Sequence, residues 1–232
     1  MKKFLACVFI ICVFSGVIFY IGWTQFRVKP NRMGIVVSKT SGIEKKPVLN
    51  GSFSWHWQFL LPTNAEIRTF EIKPVNVTKQ VTGTLPSGDA YSTLYGVKNL
   101  FDYSFTFDIS LTVSPESIVE LVQMNKVTDD NDLTAYLEGA AATLAQLASD
   151  FILRRAADNP SFRPESLRRE EILKGVRIYQ EFPEIDVSVF TLTQSKLPDY
   201  IIYKKIQEGG LQTSLSVNTE SAEPVPLEES YE

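Results

Sequence analysis

Cysteine and histidine are nearly missing from this chain: two Cys and one His in 232 residues. A structural zinc site draws on four such ligands, so that class is excluded by supply. There is no basic excess either. Lys and Arg number 23 against 27 Asp and Glu, a net charge of −4, whereas a nucleic-acid-binding domain ordinarily carries the opposite balance. Glycine and proline, twelve of each, are too few for a collagen-like or low-complexity chain. Gly-x-Ser-x-Gly, the Gly-x-x-x-x-Gly-Lys-Ser/Thr phosphate loop and the Gly-x-Gly-x-x-Gly fingerprint do not occur. With 44% hydrophobic and 22% charged residues the composition is globular, and the length suits one domain with attachments.

Two stretches lack charge of one or both signs. From Phe4 to Phe26 there is no charged residue. After Lys205 there is no Lys or Arg, while Glu208, Glu220, Glu223, Glu228, Glu229 and Glu232 follow. Removing those six charges (−4 minus −6) leaves +2 for the rest, so the acidity belongs to the tail.

The run FLACVFIICVFSGVIFYIGWTQF has only Ser15, Thr24 and Gln25 as distinctly polar members. About 20 apolar residues cross a bilayer core of ~30 Å, which predicts a single transmembrane anchor over residues 4–26. Tyr20 and Trp23 lie near its end, where amphipathic rings favour the interface. A cleaved signal peptide would have a shorter apolar core and small residues at −3 and −1 of the cut; Phe14 and Tyr20 occupy the −3 positions for cuts after Gly16 and Gly22. A lipobox at Leu5-Ala6-Cys7 lies too close to the start to leave an apolar core. Cys7 and Cys12 both fall inside the run and imply no disulfide framework. Orientation signals oppose each other. Arg27, Lys29 and Arg32 after the helix favour a cytoplasmic domain, whereas a Met-Lys-Lys start before an apolar run is the form of a signal anchor, which places the domain on the non-cytoplasmic side and is the preferred reading.

Residues 27–208 read as one folded domain, between a short N-terminal tail (1–3), the anchor, and an acidic tail at 209–232 expected to be disordered. Gly34-Ile35-Val36-Val37 predicts a buried strand. Asn50-Gly51 predicts a turn. Phe53, Trp55, Trp57 and Phe59 recur at period two, which puts four aromatics on one face of an extended segment. Ile67–Val77 is β-like, and Pro74 makes it an edge or bent strand. In FDYSFTFDISLTV, Phe101 to Val113, every odd position is apolar and every even one polar, predicting a long strand with one buried face. Ser114-Pro115 opens a short helix. A longer helix is expected from about Asp132 to Arg155, with an apolar stripe of Leu133, Leu137, Ala140, Leu144, Leu147 and Phe151, and with small residues (Gly139, Ala140, Ala141, Ala142, Ala145) that would let a sheet approach. Another begins near Pro164 with Glu165/Arg169 and Glu170/Lys174 pairs at i,i+4. Asp186–Thr193 reads as a strand, and Leu197-Pro198 starts a last short helix. Strands grouped before helices give an α+β fold, a mostly antiparallel sheet with packed helices.

Three segments resemble the SPFH, or band 7, family of stomatin, prohibitin and flotillin. VKPNRMGIVVSKTSGIEKKPVLNGSFSWHWQFLLP, with Gly34, Gly51 and Pro62, is similar to the family's membrane-proximal opening. FDYSFTFDISLTVSPESIVELV resembles its long alternating strand and short helix. FPEIDVSVFTLTQSKLPDYIIYKKIQE resembles its last strand and the proline that starts the next helix. The resemblance spans roughly residues 24 to 208. It implies a non-catalytic membrane scaffold that oligomerises laterally, organises membrane regions or modulates a membrane-bound AAA protease. Most members continue into a long coiled coil where this chain turns acidic. The implied assembly is therefore a smaller homo-oligomer or a co-assembly with a longer SPFH relative. The alternative from a different class is a monomeric, membrane-tethered binding module that presents its β-surface to an envelope partner or small ligand.

No catalytic, cofactor or metal residue is expected. His56, the only histidine, alternates away from Trp55 and Trp57 and reads as solvated or at the membrane surface. Asp129, Asp130 and Asp132 lack the central Gly of a calcium loop and read as a polar helix start. Arg154, Arg155, Arg163, Arg168 and Arg169 are interleaved with Asp150, Asp158, Glu165, Glu170 and Glu171 and read as a solvated, ion-paired surface. The candidate functional residues are those of a membrane interface, Trp23, Phe53, Trp55, Trp57 and Phe59, with the lipid bilayer as partner.

Overall fold

The computed structural model describes residues 1–24 and 27–209. The acidic tail, Gly209 apart, lies outside the described residues. The chain is α+β, with an N-terminal apolar helix and antiparallel sheets. It divides into two compact units. The first comprises Met1–Lys79, Phe107–Ala148 and Arg168–Thr191, and the second Gln80–Thr106, Ser149–Leu167 and Leu192–Glu232.

In the first unit, helix α1 (Lys2–Gly22) precedes a small sheet of β1 (Arg32–Ser38), β2 (Gly42–Ile43), β3 (Val48–Leu49) and β4 (Ala65–Glu71). Strand β1 is central. Both β2 and β3 pair with one of its edges, and β4 runs antiparallel along the other from Arg32↔Glu71 to Ser38↔Ala65. Its apolar run explains this place: Met33, Ile35 and Val36 are all buried, as a strand covered on both faces requires. Gly34 is needed because a Cβ there would lie 2.8 Å from methyl groups of both Ile67 and Val28. Val28, Val36 and Val48 form a cluster on which Phe59 and Ile67 pack.

Pro74 does not bend one strand. It falls in the gap between β4 and β5 (Val75–Thr84), which belong to different sheets. β5 continues well past Val77, because Thr78, Lys79, Gln80 and Thr82 fit a strand in which no residue is fully buried. The second sheet has the order β5-β6-β7, with β6 at Asp102–Val113 and β7 at Ile185–Lys196. Side-chain bonds from Thr78 to Asp108 and from Thr84 to Asp102 run in opposite senses, marking β5 and β6 as antiparallel. Thr112 to Asp186 and Thr193 to Thr106 do the same for β6 and β7. The alternation in β6 is realised in part: Phe105, Phe107, Ile109, Leu111 and Val113, with Phe101 just before it, are buried, each contributing ~1.5–3 kcal/mol, whereas Tyr103 is half-buried and the even-position Ser110 is buried.

A short helix α2 (Gly88–Tyr95), not signalled by periodicity, precedes β6. Helix α3 (Pro115–Gln123) follows it. Ser114 Oγ caps α3 by accepting from Ser117 N at 3.1 Å, and Pro115 sits where its missing N–H does no harm. Helix α4 runs Asp130–Asp158. Its buried stripe continues through Ala141, Ala145, Ala148, Ile152 and Ala156, while Leu147 and Phe151 are only half-buried. The stripe follows the 3.6-residue period, which favours Ala148 and Ile152 over the positions one residue earlier. Gly139 and Ala142 are exposed and offer no approach to a sheet.

Pro164 starts a 3-10 turn, Pro164–Ser166, and not the helix. Helix α5 (Arg169–Val176) begins later and is followed by α6 (Ile178–Glu181). The i,i+4 pairing of Glu165 with Arg169 is displaced: Glu165 accepts from Ser195 Oγ, and Arg169 donates to the carbonyls of Val187 and Ser188. The last helix, α7, covers residues 200–209. In the second unit Tyr203 of α7 packs on Phe101, Leu85 and Tyr91, and its hydroxyl donates to Pro86 O at 2.8 Å.

Candidate membrane-interface collar

Helix α1 shows its apolar side chains on every side. Phe4, Phe9, Phe14 and Tyr20 are among the exposed large hydrophobics. Its mean hydropathy reaches 2.8 and none of that stretch is buried. Its 21 residues at 1.5 Å rise span about 31 Å. This is one helix long and apolar enough to be a membrane anchor or a signal sequence.

The helix ends at Gly22, short of Phe26, because Trp23 turns to extended backbone at φ −80° and ψ 102°. A helix end leaves carbonyls without intrahelical donors. Here the domain supplies them. Trp55 Nε1 donates to Phe19 O at 3.2 Å, Arg27 Nη2 to Ile21 O at 3.2 Å, and His56 N to Gly22 O at 2.8 Å. Thr24 answers in reverse, donating both N–H and Oγ1 to Ser54 O at 3.0 and 3.1 Å. Trp23 and Trp55 form an antiparallel bridge. Rings close the contact: Phe53 stacks on Phe19 and tilts against Trp23, with centroids 5.9 Å apart in each case. Arg27 sits 4.4 Å above the Phe59 ring, adding a cation where the helix dipole is negative.

The sequence-predicted residues therefore come together, but not as four aromatics on one extended face. After Trp55 the chain winds into a 3-10 turn, Trp57–Leu60. That turn leaves Trp57 exposed and buries Gln58, whose carbonyl accepts from Asn64 Nδ2. Phe59 is rotated inward onto the Val28, Val36 and Val48 cluster. Phe53, Trp55 and Trp57, at 64%, 37% and 47% exposed, remain as the outward set beside the half-buried Trp23.

His56 is only partly solvated. It is half-buried and its Nε2 lies 2.7 Å from Ser54 Oγ. Burial lowers its pKa below the ordinary value, partly opposed by Glu44, so the ring is neutral near pH 7. A hydroxyl beside an imidazole is the first element of a nucleophilic pair. Among the described residues, however, no hydrogen bond orients the second ring nitrogen, and the carbonyl of the same serine is taken by Thr24. The pair ties the loop.

Other candidates resolve into structural roles. Asp130 accepts from Arg32 Nη2 at 2.5 Å and from Glu71 N at 2.8 Å. Asp129 takes the amides of Asn131 and Asp132, and Asp132 takes Thr128. Among the described residues, the ion pairs pass over Arg154, Arg155, Arg163 and Arg168. Sequence reasoning missed the buried Glu184, which accepts from Lys126 Nζ at 3.0 Å and Tyr136 Oη at 3.1 Å. Nothing in its local pattern, a glutamate after a proline, signals that.

Fold and collar define an α+β protein whose apolar N-terminal helix is bonded at its end to the first sheet unit. No protein-family model matches the chain. A relative from Treponema pallidum (strain Nichols), itself an uncharacterized protein, is 27% identical over 209 residues, covering 87% of this chain and 70% of that one.

Proposed function

We propose that the protein is a non-catalytic, single-pass membrane scaffold of SPFH type, with α1 as a retained anchor and copies meeting side by side on the bilayer. The domain then lies on the non-cytoplasmic side. The partners are a second copy or a longer SPFH relative, and the scaffold acts on membrane organisation or on a membrane-bound AAA protease. The observation that carries this is the collar. Three of the carbonyls at the end of α1 are bonded by the domain, and Phe53 and Trp57 stay exposed beside it, as side chains that enter the near leaflet would be. Removal of α1 as a leader would strip all of these contacts.

The test uses the full chain in mild detergent and in native membranes. Discrete high-mass species on size analysis, with cross-links between copies or to a longer relative, are expected. A lone subunit in both settings returns the alternative, a monomeric tethered module. Trp57→Ser tests the lipid contact. Among the described residues Trp57 makes no hydrogen bond in the collar, so the fold should persist while indole quenching by brominated lipid falls. Unchanged quenching overturns the insertion.

A further inference from the structure

The sheet β5-β6-β7 has two edges, and they are finished differently. At β7 the carbonyls of Val187 and Ser188 accept from Arg169, and Ser195 Oγ donates to Glu165. At β5, among the described residues, the one hydrogen-bonded neighbour is β6. The side-chain bonds of Thr78, Gln80 and Thr84 also go to that strand, at Asp108, Ser104 and Asp102. The ten residues of β5, VNVTKQVTGT, include no proline and a single charge, Lys79, and none of them is buried. An edge strand presents unpaired N–H and C=O groups that template another strand, unless proline, several charges, a bulge or a covering element blunts it. β5 is a long edge without such protection.

The strand is also complementary to itself. Directly opposed residues of an antiparallel pair share a face of the sheet, so a twofold-symmetric pair of β5 strands centres on one residue. Two registers pair nine of the ten residues: one about Lys79, with Val75 opposite Gly83, and one about Gln80, with Asn76 opposite Thr84. The first sets two ammonium groups against each other, which is unfavourable. The second opposes no two charges. It sets Thr78 against Thr82, a favourable cross-strand pair, and Lys79 against Val81. It also brings Val77 to Gly83, where a Cβ would lie 2.6 Å from Cζ of Tyr103. That half-buried ring, stacked on Phe105 with centroids 5.9 Å apart, gives the incoming valine an apolar neighbour.

We propose that β5 is the surface through which two copies of this chain meet, as an antiparallel pair centred on Gln80 that continues the sheet from one copy into the next. The proposal rests on the scaffold reading, in which copies share a bilayer, and deepens it by naming the strand. One strand pair is a small contact, and tethering to a common membrane supplies the effective concentration that lets it form.

Cysteine trapping on the full chain in native membranes tests it, in a Cys7→Ser, Cys12→Ser background. Opposed residues have Cα atoms ~4.5–5.5 Å apart, within the range of a disulfide. Gln80→Cys should therefore give a disulfide-linked dimer on mild oxidation. Thr78→Cys and Thr82→Cys should each stay single, because each lies four residues, ~14 Å along the strand, from its own counterpart; membranes containing both variants should link 78 to 82. All three positions are exposed, so the fold persists. Adding Gln80→Lys to both chains of the 78–82 pair opposes like charges and should slow trapping about fivefold; Gln80→Glu on one of the two chains should restore it. Equal trapping at 78, 80 and 82, which marks random collision, overturns the proposal, as does no trapping at 80 or a 78–82 link indifferent to those charges. If size analysis then still shows oligomers, β5 is the wrong surface and the scaffold reading stands; a lone subunit sinks both.

Discussion

A single methyl group at Gly22 tests the collar. A Cβ at Gly22 would lie 2.3 Å from Nε1 and 2.4 Å from Cε2 of Trp55, well inside contact distance. Neither backbone can yield, because His56 N is bonded to Gly22 O at 2.8 Å and Trp23 is bridged to Trp55. In Gly22→Ala the indole must therefore swing out. It loses its bond to Phe19 O, worth ~1 kcal/mol. It also loses much of its remaining cover; with the residue already 37% exposed, that is about another 1 kcal/mol. A total near 2 kcal/mol raises local opening roughly 30-fold. Hydrogen exchange of the full chain in mild detergent reads this at two amides, His56 and Thr24, whose acceptors are Gly22 O and Ser54 O. The same substitution in a Trp55→Ala background meets no ring. Alanine is then neutral, or better than glycine by up to ~1 kcal/mol at a helical position. The sign of the effect should therefore change between backgrounds. Equal acceleration of exchange in both would refute the packing argument, since the harm would not have come from the indole.

Three further outcomes follow from the same structure. Asp130→Ala removes the acceptor shared by Arg32 and the Glu71 amide; with both side chains partly exposed, thermal unfolding should show a loss of ~1–2 kcal/mol, and Asp130→Asn should recover part of it. Burial alone would raise the pKa of Glu184, but bonds from its own backbone, Lys126 and Tyr136 outweigh it and hold the carboxyl below its ordinary value. A lowered folded pKa stabilises fully above the unfolded value of ~4.3 and ceases to do so as pH falls through the folded pKa. Urea unfolding should therefore separate wild type from Glu184→Gln at pH 7 and bring them together in acid; a gap that persists in acid would contradict this. Phe101→Ala empties a fully buried site between Tyr91 and Tyr203 and should lower denaturant stability by ~3–5 kcal/mol; a loss below ~1 kcal/mol would mean that the ring does not hold this cluster.

Legibility in the sequence tracked how much of each element's order is set locally. β6, Tyr103 and Ser110 apart, and α3 could be read residue by residue, because alternation and a Ser-Pro start act within a dozen positions. β1 was legible as an apolar run. The stretch from Thr78 to Tyr95 was not. β5 is stabilised by neighbours that meet its polar side chains, such as Asp108 for Thr78 and Asp102 for Thr84, and no single-strand pattern announces such partners. The Pro164 helix start misled for a related reason: the i,i+4 charge pairs exist in the sequence, but Arg169 finds better acceptors on β7. At the collar, the types of Trp23, Phe53, Trp55, Trp57 and Phe59 stand out in the sequence. Their arrangement does not, because a period of two is equally compatible with a strand and with a chain that winds into a 3-10 turn.

The collar also bears on how a bilayer would be felt by the domain. Helix α1 is about as long as the hydrocarbon core is thick, ~30 Å. Its last carbonyls are held by Trp55, Arg27 and His56. On the proposed membrane reading, Trp23, Phe53 and Trp57 then fall where hydrocarbon meets headgroups, and Arg27 falls just beyond. A free helix answers a thickness mismatch by tilting at a modest energetic cost. A helix bonded into the loop at Ser54–His56 cannot tilt alone; it must carry that loop with it or break the bonds that Gly22→Ala is designed to strain. On the proposed membrane reading, bilayer thickness and the setting of that loop would be coupled, with a coupling energy bounded by the strength of the collar.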